Sequence, residues 1–214
     1  MRLRLFTIAA VLLAVQGMAP QAISAAESSK QAPIENFEQV SRTLSRGASP
    51  SCEQLRQLCE SGVKTIVDLR LNGPGVRQEE SAARNLGLIY LHLPLSYKAP
   101  TAEQISKFLS IVCNPQYLPV FVHCRQGADR TGVMVAIYQL TVQRCPFDEV
   151  YRQMRQHGFK PWLRHFKTVV ASWARQTTTG QGKPLYARKP IIESQAQPSA
   201  RAEMLATKAQ ASAY

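Results

Sequence analysis

Acidic residues are scarce in this chain: 14 Asp and Glu stand against 26 Lys and Arg, leaving a formal charge of +12. Such a surface suits anionic ligands, phosphate esters among them, and repels cationic ones. Long apolar runs are missing too. The run from Leu5 to Val15 falls short of the ~20 residues that a membrane-spanning helix needs, so no stable membrane insertion is expected once it is cleaved as a signal, an uncleaved anchor being the alternative. There are only 4 His, and no Cys/His spacing of a metal site, so neither metal nor cofactor is expected. No basic motif studded with aromatics occurs, which argues against nucleic acid as a partner.

Against these absences one stretch carries chemistry, Val120-Phe121-Val122-His123-Cys124-Arg125-Gln126-Gly127-Ala128-Asp129-Arg130-Thr131-Gly132. An apolar, β-branched run leads in, a polar loop with a glycine follows, and an apolar helical segment leads out from Gly132 to Val142. Strand, tight loop and helix together aim backbone N–H groups at an anion. The loop can fold back to bring Cys124 and Arg130 onto one bound group. Amides, helix terminus and Arg130 would stabilise a thiolate at Cys124 and make it a nucleophile. The planar fork of Arg130 matches two oxygens of a phosphate. Thr131 is expected to hydrogen-bond the sulfur, helping it leave in a second step. The bland alternative is a buried structural cysteine beside a salt-bridging arginine.

These residues resemble the His-Cys-x5-Arg-Ser/Thr signature of the cysteine-dependent protein tyrosine phosphatase superfamily. Gly127 and the Thr131-Gly132 ending are most similar to its compact dual-specificity branch, here of a bacterial exported type. The resemblance covers about Phe37 to Arg175 and implies an α/β, single-domain, dual-specificity-phosphatase-like fold. That fold has a central, mostly parallel sheet flanked by helices and a helical C-terminal half. The resemblance also implies a phosphocysteine on Cys124, with Arg130 and the loop from Arg125 through Gln126, Gly127, Ala128 and Asp129 holding the phosphate oxygens. His123 would fix the loop and tune the thiolate, and Thr131 would assist its departure.

One expected part is missing. The family supplies an aspartic acid some 25 to 35 residues before the cysteine, yet Leu93-Pro94-Leu95-Ser96-Tyr97-Lys98-Ala99-Pro100 contains no acid. A general acid is worth about 10² to 10⁴ in rate. Asp129, inside the loop, is the first replacement, as in the similar Gly-x-Asp-Arg-Thr segment of the myotubularins; a loop-holding hydrogen bond is its alternative role. Asp68 is second and Glu103 third. With no acid at all, substrates with good leaving groups are favoured. Arg125, with Lys98 on the facing loop, suits a densely charged substrate. The expected partner is a phosphorylated protein or a small anionic phosphate ester. Inositol-phosphate or phosphoinositide hydrolysis is the alternative, and a catalytically weak phosphate-binding pseudophosphatase is a third reading.

The remaining chain frames this stretch. Residues 1–26 read as a signal peptide: Arg2 and Arg4, an apolar run, then Ser24-Ala25-Ala26. Export to the periplasm or beyond is expected. Residues 27–36 read as a polar leader, 37–176 as the phosphatase domain and 177–214 as a disordered or loosely packed tail. Phe37 to Arg46 reads as an edge strand or hairpin, and Pro50 as the first residue of a helix ending at Gly62. Strands are expected at Lys64–Leu69 and Leu88–Leu93, and a polar, exposed helix at Gln78–Asn85. Thr101 to Gln104 fits a capping box, and Ile105, Phe108, Leu109 and Val112 share an apolar face. Phe147–Gln156 and Pro161–Gln176 read as helices, with Trp162, Phe166, Val169 and Trp173 on the packed face of the last. Cys52 and Cys59 lie seven apart in a helix, about 10.5 Å along its axis. That exceeds the roughly 7 Å reach of a disulfide, so both are expected to pack beside Leu55, while a Cys113–Cys145 pair stays open.

Overall fold

The computed structural model describes residues 33–178. The expected signal segment, most of the leader and nearly all of the tail lie outside the described residues. Among these, no helix is long and apolar enough to cross a membrane.

Five strands form one sheet in the order β1-β2-β5-β3-β4: β1 (Glu38–Ser41), β2 (Leu44–Ala48), β3 (Thr65–Asp68), β4 (Ile89–His92) and β5 (Val120–Cys124). Only β1 runs antiparallel, as a hairpin with β2. The parallel strands β2, β5, β3 and β4 need both faces covered, and their side chains alternate accordingly. Ile66, Tyr90 and Phe121 pack under α1 (Cys52–Glu60) and α2 (Pro74–Asn85). Val67, Val120 and Val122 pack under the opposite layer of α3 (Ala102–Val112), α4 (Asp129–Tyr138), α5 (Phe147–Gln156) and α6 (Arg164–Thr178). Because α2 leaves β3 on one face and α4 leaves β5 on the other, the loops after these strands diverge. The carboxyl edge at such a switch in direction is the usual ligand position in these sheets.

Helix α4 is buried all round, Val133, Met134, Val135, Ala136 and Ile137 included. At about 1.5–3 kcal/mol for each large apolar side chain buried, it is firmly seated, so the loop at its start has a fixed base. It continues as a π-helical turn, Gln139–Gln143, close to the expected end at Val142.

Several expectations need correction. Helix α1 starts at Cys52 rather than Pro50, because Ser51 is its N-cap and closes a capping box with Gln54. Helix α2 begins at Pro74 rather than Gln78, proline being suited to a first helical turn. Its inner face, with Val76, Glu79 and Ala83, is buried, so it is not a polar, exposed helix. Of the edge strand or hairpin expected at Phe37 to Arg46, the hairpin is what forms, as β1–β2, with β2 inside the sheet. Cys52 is exposed, since Leu55 and Leu58 define the buried face of α1; only Cys59 packs beside them. Trp162 is 71% exposed in the turn before α6, and Val170 joins Phe166 in the core instead. All five cysteines are free thiols.

Candidate active site

The loop Arg125–Ala128 joins β5 to α4, and its carbonyls are tied outward one after another. Ser49 N–H donates to Arg125 O at 3.3 Å, Asn36 Nδ2 to Gln126 O at 2.8 Å and the Arg46 guanidinium to Gly127 O at 2.6 Å. In a planar trans peptide the following N–H points the opposite way. The amides of Gln126, Gly127 and Ala128 therefore turn inward, toward the amino terminus of α4, where the helix dipole favours negative charge. Gly127 makes the turn possible. Its φ is +68°, and a Cβ there would lie 2.5 Å from the backbone carbon of Gly47.

Around this bowl the expected residues assemble. Cys124 ends β5 with 2% exposure, and Arg130 and Thr131 are buried in the first turn of α4. Arg130 reaches the loop after β4, donating to Leu95 O at 3.4 Å and lying over the Tyr97 ring at 5.0 Å. Its Nε and the Thr131 hydroxyl have no hydrogen-bond partner. The hydrogen bond expected from Thr131 to the sulfur is thus not formed in this state. Burial pushes the thiols of Cys113 and Cys145 up, Glu149 adding to the effect at Cys145, so both are disfavoured as thiolates. Arg125 and Gln126 are exposed on the rim, and Lys98 is exposed on the facing loop.

His123 points to the other face, into a buried polar cluster. Its Nε2 lies 2.7 Å from Glu79 Oε1, off the line of a good hydrogen bond, and neither atom has another partner. Arg70 ties the cluster together. It donates to both oxygens of Asp68, to Glu79 at 2.7 Å and to the Ser49 hydroxyl at 2.7 Å. Tyr90 donates to Asp68 at 2.5 Å. Ligand atoms of Asp68, Glu79 and His123 lie within 4.8 Å of one another, a spacing that could hold a metal ion. Here the guanidinium of Arg70 supplies the cation.

This cluster holds Asp68 on the face of the sheet opposite Cys124. Burial pushes its carboxyl up, but the Arg70 hydrogen bonds, His123 and the Tyr90 hydroxyl outweigh that and hold it below its ordinary value. A depressed carboxyl contributes stability that is complete above its unfolded value, about pH 4, and is lost as pH falls through its lower folded value. Arg70→Met leaves two buried carboxylates unpaired and should cost about 3–5 kcal/mol. It should also flatten the acid limb of stability, because the folded state no longer favours the ionised form. Thermal melts by circular dichroism from about pH 2 to about pH 7 measure both effects.

Asp129 is tied to the turn after α5. Its Oδ1 accepts from the Lys160 backbone N–H at 3.0 Å, and Oδ2 lies 3.4 Å from the Lys160 ammonium. Glu103 is exposed in the first turn of α3, apart from these contacts. Sequence reasoning missed Asn36, Arg46, Ser49, Arg70, Glu79 and Lys160, all of which reach the loop or its neighbours from distant segments. Burial is what marks Arg46: it lies in a strand whose five residues are all buried, an unusual place for an arginine.

Residues 19–165 match the family model described as DSP-PTPase phosphatase fused to NAD+ kinase. The chain is 36% identical over 104 residues to NAD kinase 2, chloroplastic, of Arabidopsis thaliana, covering 46% of this chain and 11% of that protein. It is 27% identical over 128 residues to the dual specificity protein phosphatase TpbA of Pseudomonas aeruginosa, covering 59% of this chain and 56% of that one. The chain therefore spans about a tenth of the first relative's length and about half of the second's. Among solved structures, the core catalytic domain of the PP-IP phosphatase Siw14 from S. cerevisiae superposes with a TM-score of 0.59. That likeness covers 70% of this chain and 95% of that one at 21% identity, and it speaks to the fold. From its strand-loop-helix cradle to its sheet, the chain belongs to the DSP-type branch of the cysteine-dependent protein tyrosine phosphatases, in the family described as a phosphatase fused to NAD+ kinase.

Proposed function

We propose that the chain hydrolyses phosphate monoesters through a phosphocysteine on Cys124, with phosphorylated protein as the first substrate class. The observation that carries this is the outward tethering of three consecutive loop carbonyls, which turns the amides inward over a buried cysteine. Cys124 attacks phosphorus in line, and the bond to the leaving oxygen breaks. Arg130 and the amides hold the equatorial oxygens, where charge changes most. Water then cleaves the phosphorus–sulfur bond, releasing inorganic phosphate and the thiolate, which a rotated Thr131 hydroxyl can receive. His123 holds the strand end from the opposite face.

The contacts of Asp129 favour a loop-holding role over proton donation. Asp129→Asn should lower kcat/KM on para-nitrophenyl phosphate and on β-glycerophosphate by the same factor, about tenfold. A further loss confined to the alkyl ester, about 10² or more, would instead make Asp129 the acid. Without an acid, aryl phosphates and phosphoanhydrides react best, which keeps a second reading alive. The Lys160 ammonium lies 3.4 Å from the Gln126 side chain at the rim, and with Arg125 and Lys98 it supports an inositol phosphate or phosphoinositide as substrate. Siw14 is described as a PP-IP phosphatase and TpbA as a dual specificity protein phosphatase, so both readings have relatives. A panel of phosphotyrosine and phosphoserine peptides with inositol phosphates decides between them. Phosphopeptide turnover exceeding that of every inositol phosphate supports the first, and the reverse order overturns it.

Export belongs to the same proposal, supported by the basic start, short apolar run and small residues of 1–26. Sequencing the amino terminus of the protein recovered from producing cells checks it, with Glu27 expected first and an intact Met1 or Arg2 start counting against cleavage.

A further inference from the structure

We propose that Arg46 is a positioning residue for this site: a buried guanidinium that fixes the Gly127–Ala128 peptide and holds positive charge behind the Cys124 sulfur. The proposal rests on Cys124 being the nucleophile. Arg46 is 1% exposed and is among the largest fully buried side chains. Burying a guanidinium costs several kcal/mol, and the sheet pairing of β2 does not require one. The side chain lies on the same face as Cys124, because β2 pairs with β5 in the register Arg46 to Val122 and Ala48 to Cys124, and alternate residues share a face.

Two consequences follow from this placement. The first is orientation. The 2.6 Å bond from Arg46 to Gly127 O is the only charged one of the three outward tethers, and it sets the direction of the Ala128 amide at the lip of α4. The second is charge. Burial pushes Arg46 down to about 10, while Glu38 and then Cys124 oppose the fall. The register sets Arg46 and Cys124 on the same face of neighbouring strands, so the guanidinium charge acts on the sulfur across the sheet.

The groups packed about Arg46 set how much of its charge reaches the sulfur. Glu38 of β1 is its cross-strand partner. His157, following α5, lies with Nε2 2.8 Å from Glu38 Oε2. Burial first and Arg46 second push His157 below its usual value, so it is disfavoured as a competing cation. Helix α4 presents Gly132, where even a Cβ would stand 3.9 Å from the guanidinium.

The test reads the thiol without turnover, by the rate at which iodoacetamide alkylates Cys124 at about pH 6, resolved by peptide mass spectrometry. Arg46→Met should slow that rate about tenfold, the effect of roughly one logarithmic unit of thiolate stability. Arg46→Lys, which keeps the charge, should recover most of it. Glu38→Gln should move the rate the other way, because it removes the anion that competes for Arg46. A purely structural Arg46 predicts no acceleration in Glu38→Gln. Either Arg46→Met or Glu38→Gln reacting at the wild-type rate overturns the proposal, and if Arg46→Met does not fold, Glu38→Gln decides alone. A wild-type Cys124 that reacts no faster than exposed Cys52 would instead overturn the nucleophile reading beneath it.

Discussion

Cys124→Ser should abolish hydrolysis of para-nitrophenyl phosphate, by at least about 10⁴-fold in kcat, while the variant still binds inorganic phosphate or vanadate. Serine matches cysteine closely in shape, but its hydroxyl does not ionise near neutral pH, so the loss isolates nucleophilicity from binding. The inward amides and Arg130 are untouched, which is why anion binding survives. This pairing separates an enzyme from a phosphate-binding module. Wild-type protein with no turnover, but with the same anion affinity as the variant, would make the chain a binder. A variant retaining a tenth of the activity would remove Cys124 from the mechanism.

Arg130→Lys should lower kcat by about 10² to 10³, the range seen when one oxyanion donor is lost, with a smaller change in KM. Lysine keeps the charge but not the fork that spans two oxygens, and the fork matters most once charge spreads over the equatorial oxygens. Arg130 also has a second duty here. Its contacts with Leu95 O and the Tyr97 ring tie the acid-free loop after β4 to the cradle. The variant should therefore also loosen that loop, read as faster hydrogen exchange at the amides of residues 95–98. A kcat within threefold of wild type would show that the guanidinium does not hold the transition state.

The fate of individual residues shows how far local pattern reaches. Thr101 and Gln104 close the capping box that their spacing predicts, because such a box involves only four consecutive residues. Pro50 misleads because Ser51 offers a better cap one residue later. Trp162 misleads because helical spacing extends a pattern into a turn, where the ring finds solvent instead of the core. Asp129 was legible as either a loop anchor or an acid, and the bond to Lys160 that the proposed anchor role rests on comes from 31 residues away.

The stretch from Val120 to Gly132 was determined by sequence alone: a β-branched run, a glycine able to take a positive φ, a cysteine, an arginine and an apolar helix. Each of these features acts within a few residues. Only the tertiary structure decided which distant groups hold the loop open, since Asn36, Arg46 and Ser49 reach it through the placement of β2 beside β5. Strand order is a property of the whole sheet, formed by contacts across some eighty residues, and no local periodicity carries it.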